Sequence, residues 1–287
     1  MTPNQSTREE LHKIADLYRK AYVAHQPEIA PIAANVRFSE NNVALSFPDG
    51  TWDTVGEEVG PALTLVDEKS GGIGIYTAIR TLDVPGFLAI RLKVNDGQII
   101  EIEHIVSTRR NLSGPPTPIG AVEDFTHDPD LIRDVAPHET MARDDLIRIA
   151  NGYWDTLENN TGELRGVAFS ADCTRFENGM AFPDVERLFT LGRYRFNERV
   201  RDRDFMLVDE PRGLVMSRAF IDHKGVLDQY ELTDGTIVDS IFREPHSWSV
   251  LELFKIKSGI ITAIEATFIA VPYYMPSPWT PTQRWMA

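Results

Sequence analysis

Apolar residues return every three or four positions near the start of the chain. Leu11, Ile14, Ala15 and Tyr18 fall on one face of a helix predicted over residues 8–25, beginning at Ser6 or Thr7. The same spacing recurs as Leu146, Ile149, Ala150 and Tyr153, which predicts a second helix over residues 143–158. In the last third of each half the period changes from helical to alternating. Residues 87–94, 99–106, 249–256 and 260–270 alternate apolar and polar side chains and read as long antiparallel strands. Tight turns at Asn95-Asp96-Gly97 and Lys257-Ser258-Gly259 join them in pairs.

The motifs also repeat in order. Arg37-Phe38-Ser39-Glu40-Asn41 is echoed by Arg175-Phe176-Glu177-Asn178, with one residue lost, so Arg37 and Arg175 read as equivalent. Leu65-Val66-Asp67-Glu68 with Gly71 returns as Leu207-Val208-Asp209-Glu210 with Gly213, and Lys93-Val94, Gly97, Ile102 and Glu103 as Lys255-Ile256, Gly259, Ile264 and Glu265. Collinear blocks of this kind predict an internal duplication. Between the copies, Leu112-Ser113-Gly114-Pro115-Pro116-Thr117-Pro118 cannot be regular helix or sheet, because proline fixes φ and removes a donor. The expected organisation is a first domain over residues 1–110, a proline-rich linker over 111–140, and a second domain over 141–287. The second domain carries an insertion around 183–203 and an aromatic C-terminal tail. A helix followed by a curved antiparallel sheet buries both apolar surfaces when the sheet wraps the helix. The fold class is therefore α+β, two tandem cone-shaped domains, each with a pocket at its open end.

Composition narrows the function. With 42% apolar residues the 287-residue chain is globular, and its net charge of −14 opposes binding to a phosphate backbone, so no nucleic-acid partner is expected. The single cysteine, Cys173, cannot form an intramolecular disulfide. The N-terminal residues lack the apolar stretch of a signal peptide, and no apolar run is long enough to span a bilayer. A cytoplasmic location without a membrane partner is the expectation.

The second copy carries the clearest family signs: Asp172-Cys173-Thr174-Arg175-Phe176-Glu177-Asn178-Gly179, Val208-Asp209-Glu210 with Arg212-Gly213, and Glu252-Leu253-Phe254-Lys255-Ile256. To these add Ile264-Glu265-Ala266 leading to Pro272-Tyr273-Tyr274-Met275-Pro276 with Trp279. Over nearly the whole chain the sequence resembles the nuclear-transport-factor-2-like superfamily, in particular its SnoaL-like branch. The resemblance implies the cone fold but leaves function wide, because the superfamily holds isomerases, dehydratases, cyclases, aldolase-like lyases and non-catalytic binders. It also implies chemistry without a cofactor. Because single-domain members often dimerise through the sheet, it further implies an intrachain pseudo-dimer with Glu103 and Glu265 near its seam; a homo-oligomer is left open. Ketosteroid isomerases of this superfamily place a tyrosine on the first helix, a carboxylate base on the first strand and a second acid on a later strand.

Tyr153, Glu177 and Glu252 fall at a similar spacing and are the candidate catalytic residues. The plainer readings stand beside them: Tyr153 as a core aromatic, Glu177 closing a turn with Asn178, Glu252 facing solvent. In the first copy Tyr18 and Glu40 are present, but Ile90 stands where Glu252 does, so the chemistry is expected in the second copy. Arg175, Asn178, His246, Trp248 and Tyr273 are the candidate substrate-binding residues, with a structural ion pair to Glu177 or Asp172 as the other role for Arg175. His104 and His246 are further acid–base candidates. The tail rings Tyr273, Tyr274, Trp279 and Trp285 read either as a pocket lid or as cover for a sheet edge or domain seam. No metal-ligand spacing, phosphate loop or serine elbow occurs, so neither metal nor cofactor is expected. The expected function is a cofactor-independent lyase, isomerase or dehydratase acting on a hydrophobic aromatic small molecule. Diarylpropane formaldehyde lyases, which deformylate lignin-derived compounds, are one superfamily example. A non-catalytic binding or assembly protein is the alternative.

Overall fold

A computed structural model describes residues 6–109 and 119–280. The Leu112 to Pro118 stretch of the expected linker, and Pro281 and Trp285 of the tail, lie outside the described residues.

Helix α1 (Arg8–Ala24) starts where Thr7 and Glu10 exchange side-chain and backbone hydrogen bonds, and it stops at His25 in the left-handed region. It buries Leu11, Ile14, Ala15, Tyr18, Ala21 and Tyr22 in a core shared with one sheet. That sheet contains β1 (Ile32–Glu40), β2 (Val43–Leu45), β3 (Val55–Asp67), β4 (Gly72–Thr81), β5 (Val84–Asn95) and β6 (Gln98–Thr108), in the order β2-β1-β6-β5-β4-β3. The second half repeats the plan. Helix α2 (Arg143–Leu157) precedes β7 (Phe169–Glu177), β8 (Met180–Ala181), helix α3 (Val185–Thr190), β9 (Arg199–Asp209) and β10 (Leu214–His223). Then come a small ribbon of β11 (Gln229–Glu231) and β12 (Ile237–Asp239), and the long pair β13 (His246–Lys257) and β14 (Ile260–Pro272). The second large sheet runs β8-β7-β14-β13-β10-β9, the same order.

One feature departs from the expected antiparallel sheet. β1 lies parallel to β6 and β7 parallel to β14, so each sheet is mixed. The first strand is reached from the helix rather than from a hairpin, so nothing forces it to run antiparallel. The hairpin turns are as the sequence implies: Asp96 and Gly97 have φ of 48° and 74°, Ser258 and Gly259 of 48° and 86°. The pairing shifts register at Lys93/Val94 in one hairpin and at Lys255/Ile256 in the other, matching bulges that bend both sheets.

The two sheets pack against each other. Leu63, Leu65, Tyr76 and Ala89 of the first share one buried cluster with Leu207, Met216, Leu251 and Leu253 of the second. The Gly74 backbone lies directly against a side chain of the other sheet: an added Cβ would lie 2.7 Å from Met216 Sδ. Reciprocal ion pairs fix the arrangement. Arg8 donates to Asp209 at 2.8 and 2.9 Å, and Arg143 donates to Asp67 at 3.1 and 2.6 Å. Each buried aspartate also accepts a backbone N–H from the other unit, Val66 on Asp209 and Val208 on Asp67. Residue pairs exchanged in this way mark a self-complementary, two-fold-like interface. Glu103 lies in the seam, accepting from Arg91 and Arg218 at 2.7 Å each, while Glu265 pairs with His127 of the connecting segment at 2.8 Å.

That connecting segment is not a free tether over its described part. Val122 packs with Ala78 and Phe87, and Leu131 enters the core between the sheets. Asp130 takes bonds from Lys257 and Thr262. The tail covers the surface beside the seam: Trp279 donates to Ser39 at 2.8 Å and lies under the guanidinium groups of Arg37 and Arg91. Among the described residues no helix is long and apolar enough to cross a membrane.

Candidate functional site

The interior of the second unit is hollow. A cavity of about 430 Å³ opens between α2, the sheet and the inserted segments. Its polar end gathers four side chains from three elements. Tyr153 comes from α2, Arg175 and Glu177 from β7, and Glu252 from β13, and all four line the cavity. Alternate residues of a strand share a face, which is why Arg175 and Glu177 point the same way. Arg175 is ion-paired with Glu177 Oε1 and donates to the Tyr194 hydroxyl at 2.7 Å. Its guanidinium also lies 5.0 Å from the centre of the Tyr194 ring and 5.8 Å from that of Phe189, so its charge is held by aromatic faces as well as by a carboxylate. Burial pushes the Glu252 carboxyl up from its ordinary value to about 8, against the opposing pull of Arg175 and the Tyr153 hydroxyl; the charge of Glu177 adds to the rise. The Tyr153 hydroxyl and Glu252 Oε1, though close enough to influence each other, make no hydrogen bond of good geometry. Burial also raises the Tyr153 phenol well above its usual range. Near neutrality Glu252 and Tyr153 are therefore two neutral O–H groups on one cavity wall.

The rest of the wall is apolar. Leu157, Ile221, Val250, Ala266 and Phe268 form the body, and Phe182, Phe196, Phe242 and Trp248 supply aromatic surface. At the far end stands His223, only 2% exposed, with Nε2 hydrogen-bonded to Asn197 Oδ1 at 2.8 Å. Among the described residues no group of three or more His, Cys, Asp or Glu side chains could hold a metal ion.

A family described as a domain of unknown function (DUF8021) matches residues 139–268, the span that builds this cavity. No curated protein matches the chain. Among solved structures, a de novo designed protein with a curved β-sheet is 16% identical over 35% of this chain and 88% of its own, with a TM-score of 0.28. A Kribbella flavida protein described as a ketosteroid isomerase candidate is 14% identical over 42% of this chain and 91% of its own, with a TM-score of 0.27. At such scores neither likeness assigns a fold or a function to this chain.

Of the residues singled out from sequence, Tyr153, Arg175, Glu177, Trp248 and Glu252 meet at the cavity, and three do not. Asn178 has φ of 47° and spends its amide on both backbone groups of Phe268, so it shapes the end of β7. His246 sits behind the wall, accepting from Trp248 Nε1 at 2.9 Å. Tyr273 lies outside, bonded to Glu198, and Tyr274 stacks with Arg199 and Arg201, so neither ring lids the cavity. The equation of Arg37 with Arg175 is also corrected. Glu40 pairs with His104 and Glu177 with Ala266 at the same level of the two sheets, which makes Phe38 the counterpart of Arg175. A one-residue slip turns a strand side chain to the opposite face. Arg37 accordingly faces outward, bonded to Glu101, while Arg175 is buried.

Sequence reading missed Tyr194, Phe196, His223 and Phe242. Two of these lie on the 183–203 insertion. Phe242 lies on a second insertion, residues 224–245, for which a signal existed: the offset between repeated blocks jumps between Asp209 and Lys255. His223 ends β10 beside that insertion, and no residue spacing marks it.

Proposed function

We propose that the chain is a tandem duplication of nuclear-transport-factor-2-like units, and that the second is a cofactor-independent acid–base catalyst for a hydrophobic aromatic small molecule. The observation that supports this reading is a buried Glu252, its carboxyl pushed up to about 8, on the same cavity wall as Tyr153 and Glu177. Two neutral donors in a largely apolar cavity stabilise negative charge as it develops on a substrate oxygen. Glu177 accepts the proton that leaves the carbon beside that carbonyl, and the C–H electron pair becomes the enolate double bond. Return of the proton to another carbon gives an isomerase. Protonation and departure of a β-hydroxyl gives a dehydratase. Removal of a hydroxymethyl O–H proton lets its C=O form as the C–C bond breaks, and the released electron pair makes a C=C bond as an adjacent benzylic hydroxyl, protonated by an acid, leaves as water; formaldehyde is the second product, the enzyme is then a lyase, and a lignin-derived diarylpropane suits the aromatic walls.

The second reading is a non-catalytic binding or assembly protein. It is favoured by the Arg175–Glu177 pair, which engages the carboxylate that a base would need. One experiment separates the two. The protein is incubated in deuterium oxide with a panel of aryl ketones, enones and aromatic diols, and carbon-bound deuterium and released formaldehyde are measured. Exchange or formaldehyde production that disappears in Glu177→Gln supports catalysis. Ligand binding without either signal supports the binding protein.

A further inference from the structure

The main cavity shares two of its rings with a second, smaller hollow. Phe196 of the 183–203 insertion and Phe242 of the 224–245 insertion meet edge to face, 5.0 Å between centroids, and line both spaces. The hollow, of about 220 Å³, is also lined by Arg195, Glu198, Lys224, Val226 and Leu227. Its charge is not balanced. Glu198 is ion-paired with Lys224 and accepts from the Tyr273 hydroxyl at 3.1 Å, so the Glu198 and Lys224 charges neutralise each other. Arg195 has no such partner. Among the described residues its guanidinium makes no hydrogen bond and no ion pair, and of its nitrogens only Nε is buried, so both Nη groups keep surface that a water molecule can reach.

The neighbouring arginines differ. Arg199, Arg201 and Arg203, which follow on β9, are each paired with a carboxylate. Among the described residues Arg193 and Arg195, in the turn before β9, are not, yet both lie near enough to the Tyr230 phenol to oppose the rise that burial gives its pKa. Two uncompensated guanidinium groups in one neighbourhood of a chain with net charge −14 create a local field that attracts an anion. The walls select which anion. The two free Nη groups form a planar fork that matches a carboxylate. Around it stand the Phe196 and Phe242 rings, the half-buried Leu227 and, 75% exposed, Val226. A flat ring bearing one carboxylate satisfies both surfaces, whereas a phosphate dianion would find one free charge among apolar walls. We propose that this hollow is a second binding site, which takes a small aromatic carboxylate with its carboxylate on Arg195 and its ring against Phe196 and Phe242.

The probe is benzoate, titrated into the full chain by calorimetry beside benzamide, its uncharged isostere, and inorganic phosphate. The wild type is expected to take up a single benzoate and to bind benzamide and phosphate at least about 10-fold more weakly. Arg195→Gln should weaken benzoate about 10–100-fold, the range of a hydrogen bond to a charged group. Val226→Trp changes an exposed residue that lines the hollow and not the main cavity, and by filling the hollow it should weaken benzoate by a similar factor. That variant separates this site from binding at Arg175. Should Arg195→Gln not fold, Val226→Trp and the benzamide comparison decide. Absent benzoate binding, equal affinity for benzamide or phosphate, or an affinity unchanged in either variant each overturns the proposal. None of these readouts depends on turnover, so failure of the acid–base reading leaves this site standing, and failure here leaves that reading untouched.

Discussion

The two units share a strand order and a helix, yet one is filled and the other hollow. In the first, Tyr18, Tyr22, Phe47 and Trp52 pack edge to face, with centroids 4.9–5.6 Å apart in the Trp52 contacts. Tyr18 bonds His104 at 2.8 Å, and Glu40 accepts the Thr51 N–H at 3.1 Å. At matching levels of the second sheet the bulk is removed from the base and added at the rim. Ala266 stands for His104 and Val250 for Leu88, while Trp248 stands for Gly86 and Phe268 for Val106. Polarity moves with it: Glu252 replaces Ile90, and Arg175 replaces Phe38. One scaffold tolerates both arrangements because the reciprocal seam, not the interior of either unit, ties the halves together.

The sharpest way to break this comparison is to remove the equivalent carboxylates. Glu177→Gln is expected to lower turnover about 10²–10⁴-fold, since an amide cannot take up a proton at working pH. Glu40→Gln should leave turnover unchanged and lower stability by about 1–3 kcal/mol through the weakened Thr51 bonds. Rates and chemical denaturation of the two variants check this. Activity loss in Glu40→Gln, with Glu177→Gln active, would move the chemistry to the first unit.

The tyrosines follow. Tyr153→Phe removes one of two donors and should cost about 10²–10³-fold in rate. Tyr18→Phe breaks only the bond to His104 and should cost about 1 kcal/mol of stability, with kcat unaltered. Steady-state kinetics and melting curves distinguish the two outcomes.

At the seam the halves should behave alike rather than differently. Arg8→Ala and Arg143→Ala each strand a buried aspartate, and each is expected to cost about 2–4 kcal/mol, discounted because the arginines are partly exposed. Urea unfolding of the wild type should be a single transition. Two separate transitions in the wild type would show that the seam does not couple the units.

Much of this was legible in the sequence, for reasons particular residues make clear. Helices α1 and α2 and the long hairpins stood out because their periods and their turn residues agreed. Tyr153, Glu177 and Glu252, which line one cavity, were singled out by the spacing that the resemblance to ketosteroid isomerases implies. Arg37 misled because a strand register cannot be fixed by counting identities across a gap; only the pairing partners of Glu40 and Glu177 settle it. Asn178 and His246 misled because a polar side chain beside a site can spend all its bonds on backbone or on a neighbouring ring. The parallel β1–β6 and β7–β14 pairings, and the wall residues of the insertions, depend on long-range contacts that leave no local pattern.

The most diagnostic effect concerns pH. In the folded chain Glu252 holds its proton until about pH 8, whereas unfolded it would release it near 4.5. Below 4.5 both states are protonated and the contribution of Glu252 to stability is fully present. Between 4.5 and 8 the unfolded state has lost the proton that the folded state keeps, so stability falls as pH rises, by up to about 1.4 kcal/mol per unit. Above 8 that contribution is gone. Ile90 gives the first unit no such dependence. Glu252→Gln should therefore flatten the fall in melting temperature between pH 5 and 8, while Ile90→Gln, which buries an amide with no designed partner, lowers the whole curve without changing its slope. The same carboxyl should set the alkaline limb of any activity profile near pH 8, because its ionised form cannot donate to a developing oxyanion, and Glu252→Gln should remove that limb. A limb that persists in Glu252→Gln assigns it to another group and leaves Tyr153 as the donor that matters.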